Sequence, residues 1–468
     1  MPTADRSAPV PPTTMISRRG ALRVLGVGAG GWTAAMLVAA PPAHAGGIVP
    51  AGVAVDGPDL GALVPEAETV VDIPRTLTAT SVGLGPASPV FPPSFVAVRW
   101  CGPAGPGGPR IRLRRPDGAF GAWCPLSVGC PAERDDPSTT VPPVHALLAT
   151  ARTGSGRTPT TRGYELWMPP GATGVVSTAL NTTSGPCQRV RVPTVSVRAA
   201  LSAVAGLAHA LETPAGTGRS GPGPARTAPR TAQRSPLSAG DVPGATAGPL
   251  VPAPTAAAPT PSALGLRYLP RAAWGADESL RLNPATGQPW RTTYYPGQVV
   301  TVHHTVTPND DPDPAGTVRA IYHFHTVDRG WADIGYHFLI DEQGTLYEGR
   351  WSGSDTVPAH RPDGQVVTGA HVGGYNAGNL GVALLGDLRP RPPSAAARRS
   401  LVLVLLALTG AHRLNPVGTV DYVNAASGAR RRVPAISGHR DWMATECPGG
   451  AAYSALARIR LDVARASL

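Results

Sequence analysis

Residues 437–450, SGHRDWMATECPGG, place a histidine eight residues before a cysteine that is followed by proline. Histidine and cysteine are common zinc ligands, although such a thiol can also be buried or form half of a disulfide. The chain has five cysteines, and Cys447 is far from the other four, at positions 101, 124, 130 and 187. In an exported protein, an even set of four suggests two disulfides. Cys447 would then be left over, which argues against a disulfide for it.

A pair of histidines upstream adds candidate ligands for the same metal. Catalytic zinc sites take three protein ligands and keep an open position for water. His303 and His304 lie in VVTVHHTV, a pattern typical of a strand. Side chains alternate between the faces of a strand, so His303 shares a face with two threonines and His304 shares the other with three valines. The polar face is the expected cleft wall, and it selects His303 to join His439 and Cys447.

Four motifs occur in the order seen in the peptidoglycan recognition protein family, which the chain resembles from about residue 264 to its C-terminus. They are VHHT, GWADIGYHFLIDEQGTLYEGRW, AHVGGYNAGNLGVALLGD and ISGHRDWMATECPG. That family is similar to the type 2 N-acetylmuramoyl-L-alanine amidases. The resemblance implies a mixed central sheet flanked by helices, with one zinc ion in a surface groove. Its ligands fall on His303, His439 and Cys447, in agreement with the strand argument.

The resemblance also implies how the reaction is catalysed. Tyr336 of DIGYHF matches a tyrosine that donates a hydrogen bond to the developing oxyanion or steers the water. T7-type enzymes carry a lysine two residues before the cysteine ligand, where this chain has Thr445. The muropeptide-recycling branch has glutamate in place of Ala383 and aspartate in place of Cys447. No carboxylate base is carried over, so proton transfer is expected to fall to the zinc site and Tyr336, with Thr445 as a hydrogen-bonding partner.

Five further residues are predicted to contact the substrate. In the family, a Gly-Trp pair before DIGY and an arginine in YEGR accompany a preference for diaminopimelate in the stem peptide. Gly330, Trp331 and Arg350 stand at those positions. The planar fork of arginine suits the extra carboxylate of diaminopimelate. His371 matches a histidine that lines the family's groove, and Asn376 lies in the same motif.

The segments that must position these side chains alternate between strands and helices. Strands are predicted in QVVTVHHTV, YHFLID, TLYEGR and GNLGVALLGD, the last of which is apolar enough to be buried on both faces. Helices are predicted over residues 314–327 and 394–413 and in AAYSALARIRLDVARA. This order predicts an α/β domain with a mixed central β-sheet. His323 and His325 fall on the first helix and are interpreted as packing or surface residues.

Composition divides the chain into four segments. Residues 1–45 match a twin-arginine signal peptide, with Arg18-Arg19, a Gly-rich apolar run and an Ala-His-Ala cleavage site. Residues 46–211 are predicted to form a β-rich domain of unknown function, with a hairpin at Asp117-Gly118. Residues 212–263 are an Ala/Pro/Thr/Gly-rich linker with too few large apolar residues to fold. Residues 264–468 form the predicted catalytic domain.

Charge and composition narrow the function classes less than the motifs do. The 468-residue chain has a formal net charge of +11 and contains no lysine. A basic balance fits nucleic acid, a membrane or an acidic cell wall. The arginines are dispersed and lack interleaved aromatic patches, and export also argues against nucleic acid. No stable membrane span is expected after signal removal.

Two functions on the same fold follow from these observations. The leading hypothesis is an exported, wall-associated, monomeric zinc amidase that cleaves the lactyl–L-Ala bond between glycan and stem peptide of peptidoglycan. The alternative is a non-catalytic peptidoglycan receptor. Family members that only bind typically lack the cysteine ligand, so the presence of Cys447 and Tyr336 favours catalysis.

Overall fold

The computed structural model describes residues 67–102, 108–126, 144–150, 158–194, 260–261, 264–353 and 357–467. The predicted signal peptide lies outside these residues, as does the predicted linker apart from residues 260–261. Among the described residues, no helix combines the length and apolar character needed to cross a membrane.

The N-terminal part, residues 67–194, is called the β-module, and its described elements are all strands. They are β1 Ala67–Pro74, β2 Leu77–Val82, β3 Phe95–Cys101, β4 Arg110–Arg114, β5 Cys124–Pro125, β6 Val144–Ala149, β7 Gly163–Trp167, β8 Thr173–Asn181 and β9 Cys187–Thr194. They form sheets β1-β9, β2-β8-β3-β6 and β5-β4-β7. Every pair is antiparallel. The prediction of a β-rich N-terminal region is confirmed.

The four-stranded and three-stranded sheets of the β-module share one apolar core. Alternate residues of β3, Val96, Val98 and Trp100, pack there with Ile111 of β4 and Tyr164 of β7. The turn after β4 falls at the predicted Asp-Gly pair. Its glycine has a φ of 87°, in the left-handed region that glycine adopts without a steric penalty.

The C-terminal part, residues 264–467, is called the α/β region. Its strands, numbered after a short β10 Thr260–Pro261, are β11 Arg267–Tyr268, β12 Tyr294–Tyr295, β13 Val299–His304, β14 Phe338–Ile340, β15 Leu346–Glu348, β16 Val366–Val367, β17 Asn379–Leu384, β18 Thr419–Val423, β19 Arg430–Pro434 and β20 Ile436–Gly438. Its α-helices are α1 Arg271–Trp274, α2 Pro314–His323, α3 Ala395–Ala411 and α4 Gly450–Ala466. A π-helical turn, Phe324–Asp328, continues α2, and a 3-10 turn, His439–Asp441, follows β20.

The central sheet of the α/β region has the order β15-β14-β17-β13-β20. Strands β14, β17, β13 and β20 run parallel to their neighbours, and β15 is an antiparallel edge strand. The predicted mixed sheet flanked by helices is therefore confirmed. Each predicted strand and each of the three predicted helices is present, with boundaries that shift by a few residues.

Helices cover both faces of this sheet and bury its apolar side chains. Val300 and Val302 of β13 pack under α3 and α4, where Leu405 and Leu456 belong to the same core. Helix α2 packs on the opposite face, with Ile321 in a cluster that includes residues of β14, β15 and β17. The LVLVLLAL run forms part of α3 and contributes to the first of these cores, as predicted for a buried helix.

The β-module packs against α2 through the outer face of its four-stranded sheet. Phe95, Leu180 and Ala320 are fully buried together at this contact. Arg319 of α2 donates hydrogen bonds from Nε and Nη2 to the carbonyl oxygen of Thr182, at 3.2 and 2.7 Å. The four-stranded sheet is therefore covered on both faces, because its inner face forms the core of the module.

The prediction of two disulfides in the N-terminal part is wrong. Every pairing of the four cysteines would join at least two of Cys101, Cys124 and Cys187, yet all three are free and exposed. The fourth, Cys130, lies outside the described residues. Pairing requires two Cβ atoms within about 4.5 Å, and no two of these exposed thiols are joined.

Candidate metal centre

Two histidines and one cysteine converge at one edge of the central sheet. The ligand atoms of His303, His439 and Cys447 lie within 4.8 Å of one another, and all three side chains are buried. His303 is near the end of β13, and His439 directly follows β20. These two strands are parallel neighbours, so the residues at their carboxyl ends meet at the same edge. Cys447 reaches this edge from the loop that precedes α4.

The alternation of β13 separates its two histidines as predicted. His304 lies on the face of Val300 and Val302, and its Nδ1 accepts a hydrogen bond from the backbone N–H of Leu388 at 3.1 Å. His303 lies on the opposite face and points into the cluster. One of the paired histidines thus supports a loop, while the other is available as a ligand.

A chain of hydrogen bonds fixes the tautomer of His303. His371 Nε2 lies 2.9 Å from the carbonyl oxygen of Asn379, which can only accept, so Nε2 carries the proton. Burial, with the charge of His337 adding to it, holds the pKa of His371 well below its ordinary value, so the ring is neutral and its Nδ1 accepts. His303 Nε2, 3.0 Å away, donates to that Nδ1. The lone pair of His303 Nδ1 is left facing the cluster, as a metal ligand requires.

Cys447 is held as a hydrogen-bond acceptor beside His303. Its Sγ lies 3.6 Å from His303 Nδ1, close to the about 3.5 Å expected when zinc bonds of about 2.0 and 2.3 Å meet at a tetrahedral angle. The backbone N–H of His304 donates to the same Sγ at 3.4 Å. The backbone N–H of Cys447 donates to Thr445 Oγ1 at 3.2 Å, which ties down the loop that carries the thiol.

The residues of the cluster fit a metal ion. His439 is 2% exposed, and neither of its ring nitrogens has a hydrogen-bond partner among the described residues. A buried polar atom left without a partner is costly, and a metal bond would satisfy one of these nitrogens. Burial, followed by the nearby His439, lowers the pKa of His303 well below its ordinary value, which keeps this ligand neutral. Two imidazoles and one thiol match the donor set of a three-ligand zinc site.

A pocket opens beside the cluster and is called the metal pocket. It is lined by Leu147, His303, His304, Thr305, Val306, Ile321, Phe324, His325, Arg329, Trp331, Tyr336, Ala370, His371 and His439. The ring of Tyr336 lies 5.2 Å from that of His303, measured between centroids. No aspartate or glutamate lines this pocket in the described part of the chain.

The predicted substrate-contacting residues are divided between this pocket and its neighbour. His371 and Trp331 line the metal pocket. Arg350 lines an adjacent one, called the arginine pocket, and its Nη1 and Nη2 donate to the carbonyl oxygens of Ile334 and Trp331, at 3.3 and 3.1 Å. The lining of the arginine pocket is Arg281, Trp290, Arg291, Thr292, Thr293, Ala332, Asp333, Arg350, Trp351, Thr368 and Gly369.

The other two predicted substrate contacts have backbone roles. Asn376 is buried, and its Oδ1 accepts hydrogen bonds from the backbone N–H groups of His371 and Val372, each at 2.9 Å. It therefore braces the loop that carries His371. Gly330 has a φ of 66°, so it supplies the left-handed turn that leads into Trp331.

The sequence interpretation missed two residues of the metal pocket. His325, interpreted as a packing or surface residue, is buried in the pocket lining, and its Nδ1 accepts from the backbone N–H of Gly335 at 3.0 Å. His325 is the second residue of the π-helical turn, and the 3.6-residue pattern of an α-helix does not predict such a turn. Leu147 comes from the β-module, in which no chemical constellation was visible, and no local signal connects it to the site.

Comparison with known proteins finds relatives of the α/β region. A family model described as N-acetylmuramoyl-L-alanine amidase matches residues 293–450. A human protein named N-acetylmuramoyl-L-alanine amidase is 30% identical over 191 residues, which cover 40% of this chain and 27% of that protein. Peptidoglycan recognition protein 1 of Bos indicus is 30% identical over 161 residues, covering 34% of this chain and 70% of that protein.

A solved structure, wild-type Drosophila PGRP-LB, is also similar, with 28% identity and a TM-score of 0.30. The alignment covers 41% of this chain and 92% of that one. The match to the human protein is partial, since this chain spans only about a quarter of that relative's length.

Proposed function

The chain belongs to the peptidoglycan recognition protein family, and from this premise we propose that it is an exported, zinc-dependent N-acetylmuramoyl-L-alanine amidase. Its substrate would be peptidoglycan, and the bond cleaved would be the amide between the lactyl group of N-acetylmuramic acid and L-Ala of the stem peptide. The observation that carries the proposal is the buried cluster of His303, His439 and Cys447 at the wall of an open pocket.

The three side chains would hold one zinc ion. When bound, zinc would supply Lewis-acid chemistry, polarising the scissile carbonyl and lowering the pKa of water at the open position to about 7. His371 would keep the lone pair of His303 directed at the metal through the hydrogen-bond chain that ends at Asn379. The N–H of His304 would stabilise negative charge on Cys447 Sγ, because it donates to that sulfur.

Tyr336 is the proposed catalytic side chain outside the metal ligands. Its ring lines the metal pocket beside His303, and a phenolic hydroxyl there can donate to the oxyanion that develops on the scissile carbonyl. No carboxylate among the described residues lines the pocket to compete for that role. Thr445 acts indirectly, since its hydroxyl accepts from the backbone N–H of the cysteine ligand.

The arginine pocket is the proposed subsite for the stem peptide. Arg350 is held there by two backbone carbonyls, and Arg291 adds positive charge, whereas Arg281 is ion-paired with Glu278 at 3.3 Å and Asp333 at 3.9 Å. Asp333 lines the same pocket and forms an ion pair with Arg271 at 3.1 Å. The arginine pocket includes Ala332, the residue that follows Trp331 of the metal pocket. An anionic group such as the extra carboxylate of diaminopimelate would therefore bind Arg350 close to the metal pocket.

Digestion of purified peptidoglycan tests the function. The zinc-loaded full-length protein should release stem peptides with a free L-Ala amino group and leave glycan with a free lactyl carboxyl, both detected by mass spectrometry. A chelator should abolish the release, and added zinc should restore it. If the zinc-loaded protein sediments with the wall but releases no stem peptide, it is a receptor and not an amidase.

A further inference from the structure

Strand β6 of the β-module presents its two faces to two different cores. Val144, Ala146 and Leu148 pack into the core of the module itself. Leu147 and Ala149 face the other way, toward α2 of the α/β region. This is the period-2 alternation of a strand, with the second face buried against the catalytic half of the molecule.

Leu147 reaches the metal pocket from this second face. It lines the pocket together with His303, His439 and Tyr336, although it lies 156 residues before the first metal ligand. It also packs in the apolar cluster that includes Ile321 and Tyr336. With Val306, Ile321 and Phe324, it forms an apolar part of a pocket whose lining also includes five histidines.

Polar contacts hold the strand that carries Leu147 against the π-helical turn beside the pocket. His145, two residues before Leu147, lies with Nε2 3.0 Å from the carbonyl oxygen of Asp328, the last residue of the π-helical turn. Thr178 Oγ1 of β8 donates to Asp328 Oδ1 at 3.1 Å. The turn begins at Phe324, which lines the pocket. The β-module is thus attached to the segment that completes the pocket. Single π-helical turns of this kind occur frequently at functional sites.

We infer that Leu147 is a specificity-determining residue that makes the β-module an integral wall of the substrate groove and packs against a methyl group next to the scissile amide. The inference rests on the proposed function, since it concerns the substrate of that reaction. The carbonyl attacked must lie at the metal ligands, and the carbons flanking the lactyl–L-Ala amide each carry one methyl group. An apolar wall that shares the pocket with those ligands meets these methyl groups first.

The chemistry predicts a measurable preference. A methyl group in an apolar pocket is worth about tenfold or more in kcat/KM. The wild-type protein should therefore favour muramyl peptides over analogues that lack one methyl group, with glycine in place of L-Ala or glycolyl in place of lactyl. Leu147→Ala withdraws the wall, so at least one of these preferences should fall to about threefold or less.

The matched control is the next residue of the same strand. Leu148→Ala makes the same truncation, but on the face that packs into the core of the module, so it should lower stability and leave both substrate ratios unchanged. Leu147→Met keeps an apolar side chain and should retain the preference. All variants should bind one zinc per chain, because Leu147 supplies no ligand, and circular dichroism should verify their fold. If Leu147→Ala does not fold, Leu147→Val takes its place, with at least a twofold loss expected.

Each outcome decides between the two proposals. Unchanged substrate ratios in a folded, zinc-loaded Leu147→Ala or Leu147→Val variant would overturn the role of Leu147 while leaving the amidase activity in place. Equal shifts in Leu147→Ala and Leu148→Ala would also overturn it, because they would reveal a general loss of packing. If the zinc-loaded wild type cleaves none of the substrates, the proposed function fails, and this inference fails with it.

Discussion

The central sheet of the α/β region and the four-stranded sheet of the β-module are both covered on their two faces, but among the described residues only the first carries candidate metal ligands. Strands β13 and β20 are parallel, so His303 and His439 emerge at one edge. The strands of the β-module alternate in direction, and their ends are distributed over two edges. The carboxyl ends of parallel strands bring polar side chains together at one edge of a sheet. The antiparallel sheet instead contributes one apolar residue, Leu147, to the lining of the metal pocket.

Cysteine chemistry separates the two regions most strongly. Cys447→Ala should lose the bound zinc and all peptide release, because one of three ligands is removed. Cys187→Ser, in the β-module, should keep both, because that thiol is exposed and free. Metal analysis and peptide release measure the effect. A Cys447→Ala variant with one zinc per chain and normal release would show that the ligand set is wrong.

The next largest effect is expected from a single hydroxyl in the metal pocket. Tyr336→Phe should keep zinc and wall binding but lower kcat by about 10²–10³, the usual loss of one oxyanion donor. Tyr375→Phe is the matched control, because Tyr375 packs against Tyr422 and Trp442 and does not line the pocket. An unchanged kcat for Tyr336→Phe would make this tyrosine a packing residue.

The arginine pocket predicts a smaller and more selective change. Wild type should favour diaminopimelate over lysine at the third stem position by about tenfold to a hundredfold, the range for one charge-assisted hydrogen bond. Arg350→Ala should erase most of that difference and leave kcat/KM for the lysine substrate nearly unchanged. Arg432→Ala, on the exposed β18-β19 hairpin, should have no effect on the ratio. Equal rates for both substrates in the wild type would contradict the assignment.

The smallest expected effect concerns the contact between the two regions. Burial, together with Arg329 and Arg99, lowers the pKa of His145 to about 4, and Asp328 only partly opposes this. The folded pKa lies below the ordinary value of 6.5, so the unfolded chain binds the proton first. The free energy of unfolding should therefore fall as the pH drops from about 6.5 toward 4.

His145→Gln should reduce this acid loss by at most about 1.4 kcal/mol per pH unit, the contribution of one proton. A glutamine amide can still donate to the carbonyl of Asp328, so the contact itself is kept. Urea unfolding at pH 7 and pH 5 measures the difference. An identical pH dependence in the variant and the wild type would mean that the charge state of His145 does not affect the contact.

Local patterns were sufficient for much of the site. The alternation in VVTVHHTV separates His303 from His304 because adjacent side chains on a strand must face opposite ways. Residue types and spacing selected His439 and Cys447, and motif resemblance added Tyr336; the structure places His439 and Cys447 in one cluster with His303, and Tyr336 in the pocket beside it. The same local rules located the helices and strands of the central sheet, since hydrophobic periodicity records which face is buried.

One prediction failed, and the positions of two other residues were not visible, because all three depend on distance between segments. Two disulfides were predicted from an even number of cysteines, but a cysteine count does not report the distance between thiols, and Cys101, Cys124 and Cys187 are free. His325 was assigned to packing because a helical pattern does not reveal a π-helical turn. Arg350 was predicted as a substrate contact, but only the structure shows that it lines a pocket separate from that of the metal ligands.

The sequence by itself determined the types of the candidate ligands, the strand face of His303 and the mixed sheet, because each follows from residue identity and from periods of a few residues. The tertiary structure decided which residues share a pocket. Leu147 shares a pocket with His303 and His439 only because the outer face of a separate sheet packs on α2. The apolar run in β3, with Phe95 to Val98 all fully buried, records that both faces are covered. The run does not identify the surface that covers each face, because hydrophobic burial is non-directional and any complementary apolar surface satisfies it.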